Sequence, residues 1–134
     1  MPTIETRYLG ELRTEATHVR SGNILITDAP VDNKGKGEAF SPTDLLATSL
    51  GSCAMTIIGI AAQTHGFHVE GTGIRITKIM GDNPRRVGEV IVEFDFPKNN
   101  YSGKEKAIIE NSARTCPVAK SLHPELKQTM IFNF

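Results

Sequence analysis

Cys53 and Cys116 carry the clearest chemical possibilities in this chain of 134 residues. A thiolate is a strong nucleophile, and two thiols can close to a disulfide and reopen. The same residues can equally be inert, because free cysteine is among the most buried of side chains. Two cysteines are too few for a disulfide scaffold, and no C-x-x-C occurs. Around Cys53 no cationic side chain lies within four residues, so any group that ionises it must come from elsewhere in the sequence. Cys116 precedes Pro117, which predicts an N-cap position. There the free N–H groups of a new helix favour a thiolate, and Arg114 and Lys120 are close by. Local chemistry alone therefore makes Cys116 the more acidic thiol. His18, His65, His68 and His123 are scattered without the spacing of metal ligands, so no metal is expected.

The element that must hold Cys53 is a helix over Ser41–His65. Ser41 suits the N-cap, Pro42 the first helical position, and Asp44 the positive end of the dipole. Gly66 is a natural stop. Leu46, Leu50, Cys53, Ile57, Ile60 and Thr64 recur in alternating steps of four and three, which predicts a stripe facing the core. The remaining positions are unusually small: Ala47, Ser49, Gly51, Ser52, Ala54, Gly59, Ala61 and Ala62. Each helical glycine costs about 1 kcal/mol relative to alanine, so their retention predicts close approach of another backbone. At 1.5 Å per residue such a helix spans about 37 Å. A globule of this size is only about 30 Å across. A second copy of the chain, with the two helices packed together, removes that mismatch.

Short strands are expected over Ile4–Leu9, Leu12–Val19 and Asn23–Thr27, followed by a Pro-, Asn- and Gly-rich loop over 28–38. After the long helix, His68–Met80 and Val87–Phe96 read as paired strands. In the second, Val90, Val92, Phe94 and Phe96 alternate with Ile91, Glu93 and Asp95. Ser102–Thr115 reads as a helix capped by Ser102 and Glu105, with Ala107, Ile108 and Ala113 along one face. A short helix follows Pro117, and Gln128–Phe134 closes the chain as a strand. This order predicts an α+β fold in one domain over 1–134.

Composition narrows the partners. Fifteen basic and fifteen acidic residues cancel, and the pI is near 6.9. That balance gives no support for nucleic-acid binding or a polybasic membrane tether. No unbroken apolar run of membrane-spanning length occurs, and the N-terminus lacks the apolar segment of a secretion signal. The expected home is the cytoplasm, a reducing compartment where a permanent disulfide is disfavoured.

Phe40-Ser41-Pro42-Thr43-Asp44-Leu45-Leu46-Ala47-Thr48-Ser49-Leu50-Gly51-Ser52-Cys53 resembles the central-helix motif of the OsmC/Ohr family of osmotically inducible and organic hydroperoxide resistance proteins. Cys116-Pro117-Val118-Ala119-Lys120-Ser121-Leu122 resembles its second cysteine motif. The resemblance implies an OsmC-like intertwined homodimer, with antiparallel sheets wrapped around two long central helices. It implies a cysteine peroxidase in which Cys53 attacks a hydroperoxide and becomes a sulfenic acid. Cys116 then condenses with it to a disulfide, and a dithiol or lipoylated protein restores both thiols. No cofactor is implied. Family members aid the departing alkoxide with an Arg from an early strand, paired with a Glu at the start of the long helix. Arg20 matches the Arg loosely. Thr43 stands at the usual Glu position, and Asp44 beside it is the substitute the sequence offers. Two alternatives stay open beside the peroxidase: a non-enzymatic redox-sensing or small-ligand-binding dimer, and a structural role for both thiols.

Overall fold

The computed structural model describes Met1–Phe134. Its elements run β1 (Ile4–Gly10), β2 (Arg13–His18), β3 (Ile24–Asp28), α1 (Pro42–His65), β4 (Gly73–Gly81), β5 (Arg86–Asp95), α2 (Gly103–Arg114), α3 (Pro117–Ser121) and β6 (Lys127–Asn133). The α+β order matches expectation element for element. The chain divides into two compact units, Met1–Leu46 and Ala47–Phe134, with α1 beginning in the first and continuing through the second.

The first unit carries an antiparallel meander in the order β1-β2-β3. Its alternation is weak, and so is its burial: no β1 residue is buried, and only Thr27 and Asp28 of β3 are. Ile4, Tyr8, Leu9, Ile24 and Leu25 remain exposed on these strands. At its end, Ser41 and Asp44 close a reciprocal cap on α1. The Asp44 N–H donates to Ser41 Oγ, and the Ser41 N–H donates to Asp44 Oδ2, both at 3.0 Å.

The second unit is built on the sheet β4-β5-β6. β4 and β5 are antiparallel, but β6 returns parallel to β5 after the crossover through α2 and α3. This sheet is therefore mixed, where an antiparallel one was expected. On its inner face Ile76 pairs with Val92 and Ile74 with Phe94, and Phe94 stacks on its parallel partner Phe132 at 5.2 Å. Val90, Val92 and Phe94 are fully buried there. The outer face is wet, as the alternation requires. Arg75 pairs with Glu93 and Asp95, and Asn133 donates to the same two carboxylates.

α1 and α2 cover the inner face. α2 opens with the capping box of Ser102 and Glu105 and buries Ile109, Ser112 and Ala113, a register one step from the face expected through Ile108. Lys106 and Arg114 lie over the rings of Phe134 and Phe132, each at 5.3 Å. α1 buries Ala47, Leu50, Gly51, Ala54, Ile58 and Ala62, rather than the expected line through Cys53, Ile57 and Ile60. Ile60 is 55 % exposed. Leu50 of the expected line is fully buried, with Ile58, and around them the small Ala47, Gly51, Ala54 and Ala62 turn inward. A Cβ on Gly51 would meet Ile76 Cδ1 at 2.5 Å and Cγ1 at 3.1 Å.

α1 ends at Gly66, whose φ of +76° allows the Phe67 N–H to reach back to the Ala62 carbonyl. The expected strand from His68 begins only at Gly73, because Thr72 folds back to donate its N–H and Oγ1–H to the Val69 carbonyl. The sequence reading expected no membrane span, yet α1 is long and apolar enough for one by length and composition, with mean hydropathy 1.8 over its most apolar window. Part of its small-residue face, at Gly51, meets the chain's own sheet.

Gly51→Val is expected to destabilise the chain by about 2–3 kcal/mol through overpacking, read from chemical denaturation. An unchanged midpoint would show that Ile76 yields without cost.

Candidate two-thiol site

The residues brought together are the two cysteines. Cys53 is half-buried on α1, Cys116 is fully buried at the N-cap of α3, and both are free thiols. They lie near enough for Cys53 to push the Cys116 pKa upward. Cys53 stands two residues beyond Gly51, round the helix from the face that meets β4, and is half-buried there. Cys116 follows the Thr115 C-cap of α2 and is the N-cap of α3, because Pro117 cannot continue the earlier hydrogen-bond ladder but suits a first helical position. Its Sγ takes the capping role usually played by oxygen, accepting the Ala119 N–H at 3.4 Å.

The electrostatics of Cys116 reverse the local expectation. Burial pushes its thiol above the ordinary value. The Ala119 N–H pulls the other way, and the hydrogen bond and charge of Cys53 add to the rise. The N-cap argument fails because α3 has only five residues, and because it ignored both desolvation and the neighbouring sulfur. Cys116 is thus a proton-holding thiol facing a more accessible one.

Arg20 and Asp44 both lie in the first unit. Arg20 is exposed in the turn after β2, and its side chain makes no ion pair within the chain. Asp44 is committed to the α1 cap. The arginine–carboxylate pair of this unit is a different one, which sequence reading missed. Arg13 on β2 grips Asp28 on β3 with two bonds, Nε to Oδ1 at 2.7 Å and Nη2 to Oδ2 at 2.8 Å. Arg13 Nη2 also reaches Glu38 Oε1 at 3.2 Å, and the Glu38 N–H donates to Asp28 Oδ2. Asp28 is buried, and the guanidinium holds its carboxyl below the ordinary 3.8. The available signal was the register: Arg13 and Asp28 are cross-strand partners.

A groove of about 550 Å³ lies at the C-terminal end of α1, lined by Met55, Gly59, Ala62, Phe67 and Val69 among others. None of the four sequence-named residues lines it.

A buried thiol beside a half-exposed one, on a long helix seated against a mixed sheet, defines a two-cysteine α+β protein. The chain belongs to the OsmC-like protein family, whose model matches residues 35–130. A Psychrobacter arcticus structure, provisionally named an osmotic stress induced and detoxification response protein, is 53 % identical with a TM-score of 0.95. That likeness covers 99 % of this chain and 96 % of that one. The fold is shared with more distant structures. An organic hydroperoxide resistance protein OsmC from Legionella pneumophila is 13 % identical, with a TM-score of 0.76 over 100 % of this chain and 98 % of its own. A provisionally named organic hydroperoxide resistance protein from Vibrio cholerae, with captopril bound in one of its active sites, is 12 % identical. Its TM-score is 0.76, over 99 % of this chain and 92 % of its own. Among curated proteins none matches.

Because Asp28 has a depressed pKa when folded, its stabilising contribution is complete above about pH 4 and is lost as pH falls through the lower folded value. Asp28→Asn is therefore expected to lower stability at pH 7 and to flatten the acid limb below pH ~4 in a denaturation series. An acid limb as steep as that of the parent would show that other carboxylates set it.

Proposed function

We propose that this chain is a thiol peroxidase that reduces organic hydroperoxides. The observation that carries this reading is the neighbourhood of a half-exposed Cys53 and a buried Cys116, whose proton the burial and Cys53 both help to hold. The Cys53 thiolate attacks the terminal oxygen of ROOH. The O–O bond breaks, the alcohol ROH leaves after taking a proton, and Cys53 becomes a sulfenic acid. Cys116, holding its S–H, then attacks the Cys53 sulfur. Water leaves, and a Cys53–Cys116 disulfide forms. A dithiol, such as a lipoylated protein, reopens it by two exchange steps. A reducing cytoplasm fits this cycle.

The leaving alkoxide needs a cation or donor. Arg20, with Asp44 at the α1 start, is the assignment made from the motif. Arg13 is a rival, because its guanidinium is already oriented by Asp28 and Glu38. A homodimer accompanies this reading. It is supported by the exposed apolar side chains of β1 and β3, by the exposed Ile60 beside Gly59, which has open space around it, and by zero net charge. A second reading, a redox sensor or ligand-binding dimer without efficient turnover, is favoured by Thr43 at the Glu position and by the unpaired state of Arg20.

Cys53→Ser is expected to abolish consumption of cumene hydroperoxide with a dithiol. Cys116→Ser should complete one equivalent and stall at an over-oxidation-prone sulfenate. Arg20→Ala should slow the first step by about 10²-fold. If Arg20→Ala is silent and Arg13→Lys is slow, the cation is Arg13. Parent protein that forms the disulfide with peroxide but does not turn over would select the sensor. Sedimentation should give twice the 14.6 kDa chain mass; a stable monomer would remove the dimer.

A further inference from the structure

The proton-holding cysteine sits on a helix of only five residues, Pro117–Ser121, too short to hold itself in place. The question is what fixes it. Two backbone bonds at one residue connect Cys116 to the rest of the unit. The Ala119 N–H donates to Cys116 Sγ at 3.4 Å. On the other side of the same residue, the Ala119 carbonyl accepts a hydrogen bond from Gln128 Nε2 at 2.9 Å. Gln128 is the second residue of β6, half-buried, and in register with Val90 on the central strand β5. Val90 is fully buried. The chain of contacts therefore runs from the rigid middle of the sheet, through one side-chain amide, to the residue that caps the sulfur.

We propose that Gln128 is a positioning residue for Cys116: its amide clamps α3 at Ala119 and holds the Cys116 sulfur beside Cys53. The proposal deepens the peroxidase reading and rests on it for its kinetic consequence. In the condensation step Cys116 gives up its proton and attacks sulfenic Cys53, and one water is released. The sulfurs must close to about 2.05 Å. A clamped α3 keeps the attacking sulfur at high effective concentration, so the sulfenic acid is short-lived. Without the clamp α3 frays, Cys116 samples solvent, and the sulfenic acid waits longer for its partner. Gln is suited to the task because a donor is required. The Ala119 oxygen accepts, so a carboxylate of the same shape cannot replace the amide.

The test compares Gln128→Glu, which keeps the shape and loses the donor, with Gln128→Lys, which keeps a donor on a side chain of similar reach. In a Cys53→Ser background, alkylation of Cys116 by iodoacetamide reports the opening of α3 whether or not the protein is a peroxidase. Gln128→Glu should speed it about fivefold, the factor expected for one lost hydrogen bond. Gln128→Lys should stay within about twofold of the parent. With both cysteines present, one equivalent of cumene hydroperoxide should give about fivefold more dimedone-trapped sulfenic acid in Gln128→Glu than in the parent, with rescue in Gln128→Lys. Equal alkylation rates in Gln128→Glu and the parent would overturn the clamp, as would a Gln128→Lys protein that behaves like Gln128→Glu. If parent protein forms neither sulfenic acid nor disulfide with peroxide, the peroxidase reading falls, and the alkylation comparison still decides the clamp.

Discussion

How closely α1 can lie on its sheet depends on one missing side chain. Gly51 presents only backbone to Ile76, and a single methyl there would overlap the isoleucine. The face around it is made of Ala47, Ala54 and Ala62, with Leu50 and Ile58 filling the gaps. Packing at this point is close, and a packed interior yields little to added volume. Cys53, half a turn beyond Gly51, lies on the other side of the helix and stays half-buried. Gly51 thus weakens α1 as an isolated helix and is tolerated for the packing it allows against Ile76, whereas Gly59 faces open space within the chain.

Under the proposed peroxidase reading, the division of labour between the sulfurs follows from exposure. A nucleophile that must meet a substrate has to be reachable, and Cys53 on α1 is half-buried. A resolving thiol has the opposite requirement. It should not react with the substrate itself, and it should stay protonated until an electrophilic sulfur appears next to it. Full burial and the neighbouring Cys53 both raise the Cys116 pKa, so the same environment that shields it also keeps its proton on. The Ala119 N–H then counts as placement more than as activation.

Fold order was legible because its signals are local. Ser41-Pro42 and Ser102 with Glu105 mark helix starts by hydrogen bonds a few residues long, and the alternation from Val90 to Phe96 marks a strand with one wet face. The face of α1 was not legible in the same way. Stepping through Leu46, Leu50, Cys53 and Ile57 meets the buried face only at Leu50, because that face mixes Leu50 and Ile58 with the small Ala47, Gly51, Ala54 and Ala62. The parallel pairing of β6 likewise has no local signature, since strand direction is set by the crossover and not by β6 itself. Both cysteines were found through motif resemblance, but their contact is a product of tertiary packing.

The arginine in the first unit shows the limit most clearly. Arg20 follows β2 by two residues and stands free, while Arg13 at the head of that strand is clamped by a buried carboxylate. Spacing alone cannot separate two arginines on one short strand region, because their environments differ only through register. Once Arg13 faces Asp28, burial of the carboxylate demands a partner, and the planar guanidinium supplies two parallel bonds. The same carboxylate also accepts from the Glu38 backbone, and its own N–H donates to the Phe40 carbonyl. Asp28 thereby ties both ends of the loop before α1 to the meander. An arginine held this firmly has little entropy still to lose on meeting an anion, which is the physical ground for proposing Arg13 as a rival to Arg20.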